Sequence, residues 1–436
     1  MFHFHRCLWA PVLASFLFAL CTLAQAQPAL LPSQLTPDNT FGVNIHTNTP
    51  SAADLDLMQA AGVHAVRNDF GWGAIEKTKG VYDFSGPEAL LKAVAPRGMR
   101  VIFILDYGNS LYTPQWNSGP ADDASRAAYA HFAAASVAHF RGQPILWEVW
   151  NEPNIDQFWE PKLNAAGYAQ MAQTAIAAMR IADPKAFIVG PALATFNWDY
   201  LDVLAKSGVL AQFDAITVHP YRRKSPETAI ADFARLRKLI DQCSPTRHIP
   251  ILAGEWGYST AWPNADISDH QQAEYAVRQR LGDIAAGVPL SVWYDWRDDG
   301  IDPKEPEHHF GLLDHAGSAK PAYRAVKALH EALGGYEFVR ELKSGDNDHA
   351  LLFQHGRKQI VAMWTTSAPH IVPLFFGALP ETTTLEKLDL WGGNTELQVN
   401  NNLSANVDAS HWVEVPVSES PSYVLLPPGV VMDMDY

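Results

Sequence analysis

Short apolar runs alternate with longer stretches of helical periodicity from residue 41 to about residue 335. The apolar runs have the length and composition of strands that are buried on both faces. The eight candidate strands are 41–46, 64–70, 100–107, 145–152, 187–192, 214–221, 249–256 and 290–296. The clearest helical stretches between and after them are 123–141, 165–182, 225–242, 268–286 and 320–334. Eight strands that alternate with helices predict an α/β protein with a (β/α)₈ TIM barrel.

A doubly wound open sheet is the alternative arrangement for the same alternation of strands and helices. Such sheets usually carry a glycine-rich phosphate-binding turn after their first strand. The corresponding segment here reads VNIHTNTPS and has no glycine. The pattern therefore favours the closed barrel.

The pattern changes after residue 335, where helical periodicity gives way to short alternating segments separated by turn residues. Examples of these segments are HALLFQHG, KQIVAMWTTS and SYVLLPPG. They predict a C-terminal antiparallel β-sandwich over residues 336–436, packed closely on a barrel of residues 27–335.

The first 26 residues have the features of a secretory signal peptide. A basic residue, Arg6, precedes an apolar run from Leu8 to Leu23, and Ala24-Gln25-Ala26 supplies a cleavage pattern. An uncleaved anchor is the alternative, but the apolar run is short for a membrane span. We expect a periplasmic or secreted protein without a membrane span, whose mature form keeps only Cys243 and therefore has no intrachain disulfide.

Net charge and motif content narrow the range of ligands. A formal charge of −15 argues against nucleic acid as a partner. The chain has neither HExxH nor cysteine-rich zinc spacing, and no G-x-S-x-G nucleophile motif. We expect a monomer that uses no metal and no cofactor.

Polar residues are concentrated at the carboxyl ends of the predicted strands. In TIM barrels this rim carries the active site, so these side chains should converge on one cleft. The candidates for contact with a ligand are Asn44, His46, Arg67, Asp106, Tyr107, Asn151, Glu152, His219, Tyr221 and Glu255.

Two of these residues, Glu152 and Glu255, end strands on opposite sides of the barrel mouth. Glycosidic cleavage uses two carboxyl groups, one to protonate the departing oxygen and one to attack or stabilise the anomeric carbon. Strand alternation predicts that Glu148, Trp150 and Glu152 share one face, with Glu148 buried deeper as a paired supporting residue. Arg67 and His219 could orient the carboxylates, or could be a structural ion pair and a core histidine.

Tryptophan is frequent in or just after the predicted strands. Indole rings stack on the apolar faces of sugars, although buried tryptophan is also common in a core. Trp256 and Trp293 are the best candidates for a sugar platform, and Trp159 is a further candidate.

The segments WEVWNEPN (147–154) and GEWG (254–257) resemble the acid/base and nucleophile motifs of retaining glycoside hydrolases of clan A. The likeness is closest to family 39, which includes β-xylosidases and bacterial endoglycosidases that cut Psl-type biofilm exopolysaccharide. VRNDFGW (66–72) and VHPY (218–221) extend the likeness along the barrel. The resemblance implies that Glu152 is the general acid/base and Glu255 the nucleophile.

The same resemblance implies supporting roles for Arg67, Asn151, His219 and Tyr221, and a place for Trp293 in the subsite where cleavage begins. We therefore expect a retaining enzyme that cuts β-glycosidic bonds inside a polysaccharide, with an exopolysaccharide as substrate. The alternatives are an exo-acting β-xylosidase, a transglycosylase and a non-catalytic carbohydrate-binding barrel. Loops 108–122 and 297–310 are the expected walls of the cleft.

Overall fold

The computed structural model describes residues 30–376, 384–400 and 411–430. The predicted signal peptide, residues 1–26, lies outside the described residues.

Eight parallel strands close into a barrel in sequence order, which confirms the predicted fold class. Each predicted strand corresponds to an observed one, generally shorter at its ends. The barrel strands are β1 Phe41–Asn44, β2 Ala65–Asp69, β3 Arg100–Leu105, β4 Ile145–Val149, β5 Phe187–Ala194, β6 Ala215–His219, β7 Ile251–Trp256 and β8 Ser291–Trp293.

Helices surround the barrel, and none of those in the described residues is long and apolar enough to cross a membrane. Several begin at a side-chain cap, as where Asp122 accepts a hydrogen bond from the Ser125 amide to start α4. Within the described residues the helices are α1 Ala52–Ala60, α2 Trp72–Ile75, α3 Ser85–Val94, α4 Asp123–His139, α5 Ala165–Ala182, α6 Trp198–Ser207, α7 Ile230–Cys243, α8 Asp269–Ala285 and α9 Pro321–Leu333.

The barrel interior changes from apolar to polar along the strands. Its lower layer is formed by Ala65, Ile102, Leu146, Val189, Ala215, Leu252, Leu290 and Val292. Two positions further along β2 and β4, the same face carries Arg67 and Glu148, because alternate residues of a strand point the same way. The barrel interior is therefore apolar in its lower layer and polar towards the carboxyl ends of the strands.

The C-terminal strands form one eight-stranded antiparallel sheet in the order β12-β15-β14-β13-β16-β11-β10-β9. It curls around its own apolar core, as the predicted β-sandwich does. The strands are β9 Glu337–Glu341, β10 Asp348–His355, β11 Lys358–Thr365, β12 His370–Phe376, β13 Thr384–Leu388, β14 Asn394–Asn400, β15 His411–Val417 and β16 Ser422–Leu426.

This sheet packs directly on the barrel, as its short connection to α9 predicts. Phe353, Ile360 and Trp364 belong to the same apolar core as the barrel helices. The Trp364 indole N–H donates to Glu227 over 2.7 Å, and Arg278 holds the same carboxylate through two hydrogen bonds.

Candidate active site

A cavity of about 540 Å³ opens at the carboxyl ends of the barrel strands. Loops 108–122 and 297–310 contribute to its wall through Trp116, Asp299, Glu307 and Phe310, as expected. The predicted ligand-contacting residues that line it are Asn44, His46, Arg67, Tyr107, Asn151, Glu152, Tyr221 and Glu255.

Arg67 lies at the base of the cavity and connects most of these side chains. It is buried, and its Nε donates to Glu148 Oε2 over 2.6 Å. Its Nη1 pairs with Glu255 and also donates to Asn44 Oδ1. Its Nη2 donates to Asn151 Oδ1 over 2.8 Å. Arg67 is therefore an ion-pair partner of both Glu148 and Glu255, and Glu148 has the buried supporting position that was expected.

The protonation state of His219 follows from its two neighbours. Its Nε2 lies 3.4 Å from Arg67 Nη2, which can only donate, so Nε2 must carry a lone pair. The ring proton is then on Nδ1, which donates to Glu152 Oε1 over 2.8 Å. Burial lowers the pKa of His219 to about 4, so the imidazole is neutral near pH 7.

The backbone leaves the strand conformation just before Glu152. β4 ends at Val149, and both Trp150 (φ 70°) and Glu152 (φ 45°) adopt left-handed conformations. The Glu152 amide instead donates to the carbonyl of Ala192 over 2.9 Å. Such conformations cost about 1–3 kcal/mol each and are concentrated at functional sites.

This turn corrects the prediction that Glu148, Trp150 and Glu152 share one face. The Trp150 indole N–H donates to the carbonyl of Phe158, and its ring packs against Trp159. Strand alternation fails here because the chain is no longer extended after Val149.

Glu152 is buried, and burial is the largest influence on its pKa, which rises to about 7. The negative charge of Glu148 acts in the same direction, whereas Arg67 acts against it. A carboxyl group with this pKa can hold and release a proton near neutrality, as a general acid/base must.

Glu255 lies in a different electrostatic setting at the end of β7. One of its oxygens pairs with Arg67 and the other accepts a hydrogen bond from the Tyr221 hydroxyl over 2.9 Å. Both donors suit the ionised carboxylate. One carboxylate oxygen of Glu152 and one of Glu255 lie within 4.8 Å of each other.

Tyr107 and Asp106 follow β3 but differ in their access to the cavity. The Tyr107 hydroxyl accepts a hydrogen bond from Asn151 Nδ2 over 2.8 Å, and its ring stacks on Phe158. Asp106 is fully buried beneath the cavity and does not line it, so the prediction that it contacts the ligand is wrong. Burial, together with the charge of Asp69, raises the pKa of Asp106 well above its ordinary value.

The predicted sugar platform also needs correction. Trp256 and Trp293 are each only 1% exposed and do not line the cavity, and buried Trp159 does not line it either. The Trp256 indole N–H points to Asp283 on α8, and that of Trp293 donates to the carbonyl of Phe310. These rings lie outside the barrel cavity, so a sugar cannot stack on them.

Other aromatic side chains line the cavity instead. Tyr294 follows Trp293 directly, so strand alternation could have identified it once Trp293 was placed outside. The other rings lie on loops, where no periodicity indicates which side chain faces the ligand. They belong to Trp116, Phe158, Trp262 and Phe310.

Within the described residues, two groups of side chains are spaced closely enough to hold a cation. One is Glu152, His219 and Glu255, and the other is His46, Asp295 and Asp299 at the edge of the cavity. The second group was not anticipated from the sequence, because Asp299 lies in the loop after β8, where no periodicity indicates which side chain faces His46.

The sequence model of the cellulase family, glycosyl hydrolase family 5, matches residues 26–297, which is more than half of the chain. A β-xylosidase of Geobacillus stearothermophilus is 28% identical over 220 residues, covering 45% of this chain and 43% of that protein. Endo-1,4-β-xylanase C of Phanerodontia chrysosporium is 30% identical over 175 residues, covering 38% and 41%. The matched region spans less than half of the length of each of these two relatives.

Solved structures show the same fold. A family 39 glycoside hydrolase from Bacteroides cellulosilyticus WH2 superposes with a TM-score of 0.74 at 21% identity, covering 91% of this chain and 83% of that one. A monomeric β-xylosidase from Caulobacter crescentus CB15 superposes with a TM-score of 0.66 at 19% identity, covering 91% and 98%. The expected likeness to clan A glycoside hydrolases is thus confirmed, and by its sequence the chain belongs to the cellulase family, glycosyl hydrolase family 5.

Proposed function

We propose that this protein is a retaining glycoside hydrolase that cleaves β-glycosidic bonds by double displacement. The observation that carries the proposal is the pair Glu152 and Glu255, whose nearest oxygens lie within 4.8 Å across the cavity. Retaining enzymes hold their carboxyl groups about 5–5.5 Å apart, whereas inverting enzymes need roughly 6.5–9.5 Å to admit a water molecule.

The surroundings of the two carboxyl groups assign their roles. Glu152 has a pKa of about 7 and so donates its proton to the glycosidic oxygen as that bond breaks. Glu255, paired with Arg67, attacks the anomeric carbon and forms a covalent glycosyl-enzyme. The Glu152 carboxylate then takes a proton from water, whose oxygen displaces Glu255 and regenerates both groups.

The substrate class rests on the relatives. Those matched over part of their length are named β-xylosidase and endo-1,4-β-xylanase, so we propose β-linked xylan-type glycosides for this chain. The finer proposal is endo-action on an exopolysaccharide. Trp116 supports it, because this rim residue is 57% exposed and offers an indole face to a sugar beyond the reacting bond.

The remaining properties are proposals of the same kind. The N-terminal cleavage pattern supports a periplasmic or secreted location. The described monomeric state of the Caulobacter crescentus β-xylosidase supports a monomer here. The absence of a nucleic-acid partner remains a prediction from charge.

Glu152→Gln and Glu255→Gln test the roles, with Glu331→Gln as the control, because Glu331 pairs with Lys327 on the exposed face of α9. Glu152→Gln should lose most of its kcat/KM on xylan but keep most of it on an aryl glycoside with a good leaving group, because that first step needs little protonation. Its turnover of the aryl glycoside should still slow, because no carboxylate takes the proton from water in the second step. Glu255→Gln should lose activity on both substrates.

Product analysis completes the test. NMR of the first products should show retained anomeric configuration, and sizing of products should show internal cleavage of a polysaccharide if the finer proposal holds. Near-normal rates in both glutamine variants would contradict the two-glutamate mechanism.

A further inference from the structure

We propose that His46, Asp295 and Asp299 bind a divalent transition-metal cation at the edge of the catalytic cavity. His46 Nε2 lies 3.6 Å from Asp295 Oδ2 and 3.9 Å from Asp299 Oδ1, and all three ligand atoms lie within 4.8 Å of one another. Ligands that sit about 2.0–2.2 Å from one ion are roughly 3–3.6 Å apart. A small contraction therefore makes the group a coordination site.

The buried carboxylate of Asp295 is the second observation. Asp295 is fully buried, and neither of its oxygens has a hydrogen-bond partner within 3.5 Å, since His46 Nε2 lies 3.6 Å from Oδ2. Burying an ionised carboxylate is costly unless another charge compensates it. Its carboxylate thus has unused ligand capacity inside the cluster.

The neighbouring acids have cations of their own. Asp54 pairs with Arg297, and Asp298 pairs with Lys320. In the described part of the chain, His46 is the one basic side chain within 4.0 Å of Asp295 or Asp299. The cluster therefore gathers two carboxyl groups around one imidazole, with no lysine or arginine among the described residues within 4.0 Å of either aspartate.

An ion can reach the site. The side chains of His46 and Asp299 are partly exposed, and together with Asp295 they line a second cavity of about 380 Å³. That cavity offers room for the waters that would complete the coordination sphere.

The donor set indicates the class of metal. One imidazole nitrogen and two carboxylate oxygens suit Mn²⁺ or Zn²⁺, whereas Ca²⁺ and Mg²⁺ prefer oxygen ligands alone. The site differs in this respect from an all-carboxylate calcium loop.

A bound cation would fix one wall of the catalytic cavity. The Tyr294 ring meets the His46 ring edge-on at 5.6 Å, and its hydroxyl donates to Glu307 over 3.0 Å. Tyr294, His46 and Glu307 all line the cavity that contains Glu255.

The test is titration of the EDTA-treated full-length protein with MnCl₂, with ZnCl₂ and with CaCl₂, monitored by calorimetry and, for Mn²⁺, by the EPR signal of the free ion. We expect one equivalent of Mn²⁺ or Zn²⁺ to bind, with a Tm that rises with its concentration. Asp295→Asn and Asp299→Asn should each abolish this binding, and the partly exposed position of Asp299 makes the second variant the safer one for folding.

Two control variants should keep the metal binding. Asp302→Asn removes one acidic charge from the same loop, and Glu152→Gln alters the other cluster. The proposal is overturned if neither metal binds, if both aspartate variants still bind, or if Glu152→Gln abolishes binding. Binding of Ca²⁺ alone would overturn the assigned metal class. Because binding is measured without substrate, these outcomes are independent of the proposed hydrolysis.

Discussion

Glu152 and Glu255 are the same residue type in two different electrostatic surroundings. The Glu152 side chain is buried beside a neutral imidazole and near the charge of Glu148. Glu255 instead receives a guanidinium and a phenol. This difference in their neighbours, rather than in their own chemistry, is the basis of the roles proposed for them, proton donor for Glu152 and nucleophile for Glu255.

Glu152 should set the alkaline limit of activity. In the proposed mechanism its proton is needed for the first step, so kcat/KM should fall about tenfold per pH unit once the pH exceeds its pKa of about 7. The measurement is a pH–rate profile on a glycoside with a poor leaving group. His219, whose pKa is near 4, should not contribute between pH 5 and 8. In Glu152→Gln, assayed with an activated aryl glycoside, this alkaline limb should be absent; its persistence would assign the ionisation to another group.

Arg67 should be essential to stability as well as to activity. Arg67→Met leaves the buried carboxylate of Glu148 without its partner, which typically costs about 3–5 kcal/mol in the free energy of unfolding. Chemical denaturation measures the loss. The control is Arg97→Met, because Arg97 pairs with the largely exposed Asp56, and such surface pairs contribute about 0–1 kcal/mol. Equal effects of the two substitutions would contradict the central role of Arg67.

At the scale of elements, the ends of the strands determine where the side chains of the candidate active site lie. β4 stops at Val149, and the left-handed turn that follows brings Glu152 to the carbonyl of Ala192 on β5. The pairing of β5 with β6 shifts register between Pro191 and Leu193, beside this contact. Irregular strand ends therefore place the carboxyl group, while the regular parts of the strands hold the barrel together.

The backbones of Gly257 and Tyr294 approach each other closely just beyond the ends of β7 and β8. A Cβ on Gly257 would overlap the backbone carbonyl of Tyr294, so Gly257→Ala must shift the backbone two residues after Glu255. We expect a loss of about 1–3 kcal/mol in the free energy of unfolding and a lower kcat/KM.

Gly282 is the matched control for that substitution. It lies within α8 and has open space where a Cβ would stand. Gly282→Ala should therefore stabilise the protein by up to about 1 kcal/mol, since alanine favours a helix interior. A stability gain in both variants, measured by denaturation, would contradict the steric argument.

At the scale of the whole molecule, the barrel and the C-terminal sheet share one apolar core. Glu227, at the start of the segment that leads into α7, links Arg278 on α8 to Trp364 on β11. A buried carboxylate thus joins the two parts with its charge satisfied from both sides.

Trp364→Phe should weaken this link by about 1–3 kcal/mol, because a hydrogen bond to a charged group is lost while most of the ring remains. Thermal and chemical denaturation would measure it. Trp391→Phe is the control, because that ring is 42% exposed. No difference between the two variants would show that the bond contributes nothing to stability.

Much of the architecture could be predicted from the sequence because it depends on local patterns. Alternation of apolar runs and helical stretches located all eight barrel strands, and the change of pattern after residue 335 located the antiparallel sheet. Active sites of TIM barrels lie at the carboxyl ends of the strands, and this rule predicted that Glu152 and Glu255 lie close together, although 103 positions separate them.

What only the tertiary structure decided depends on which distant atoms surround a side chain. The rings of Trp116, Phe158, Trp262 and Phe310 in the cavity, and the meeting of His46 with Asp299, depend on loops that have no periodicity. The outward direction of Trp256 and Trp293 follows from strand alternation only once the inward direction of a neighbour, such as Glu255, is known. The pKa of Glu152 likewise follows from desolvation by segments far away in the chain. The sequence by itself determined the barrel and the pair of glutamates, because periodicity and strand order are local properties, whereas burial and electrostatics are set only when the whole chain has packed.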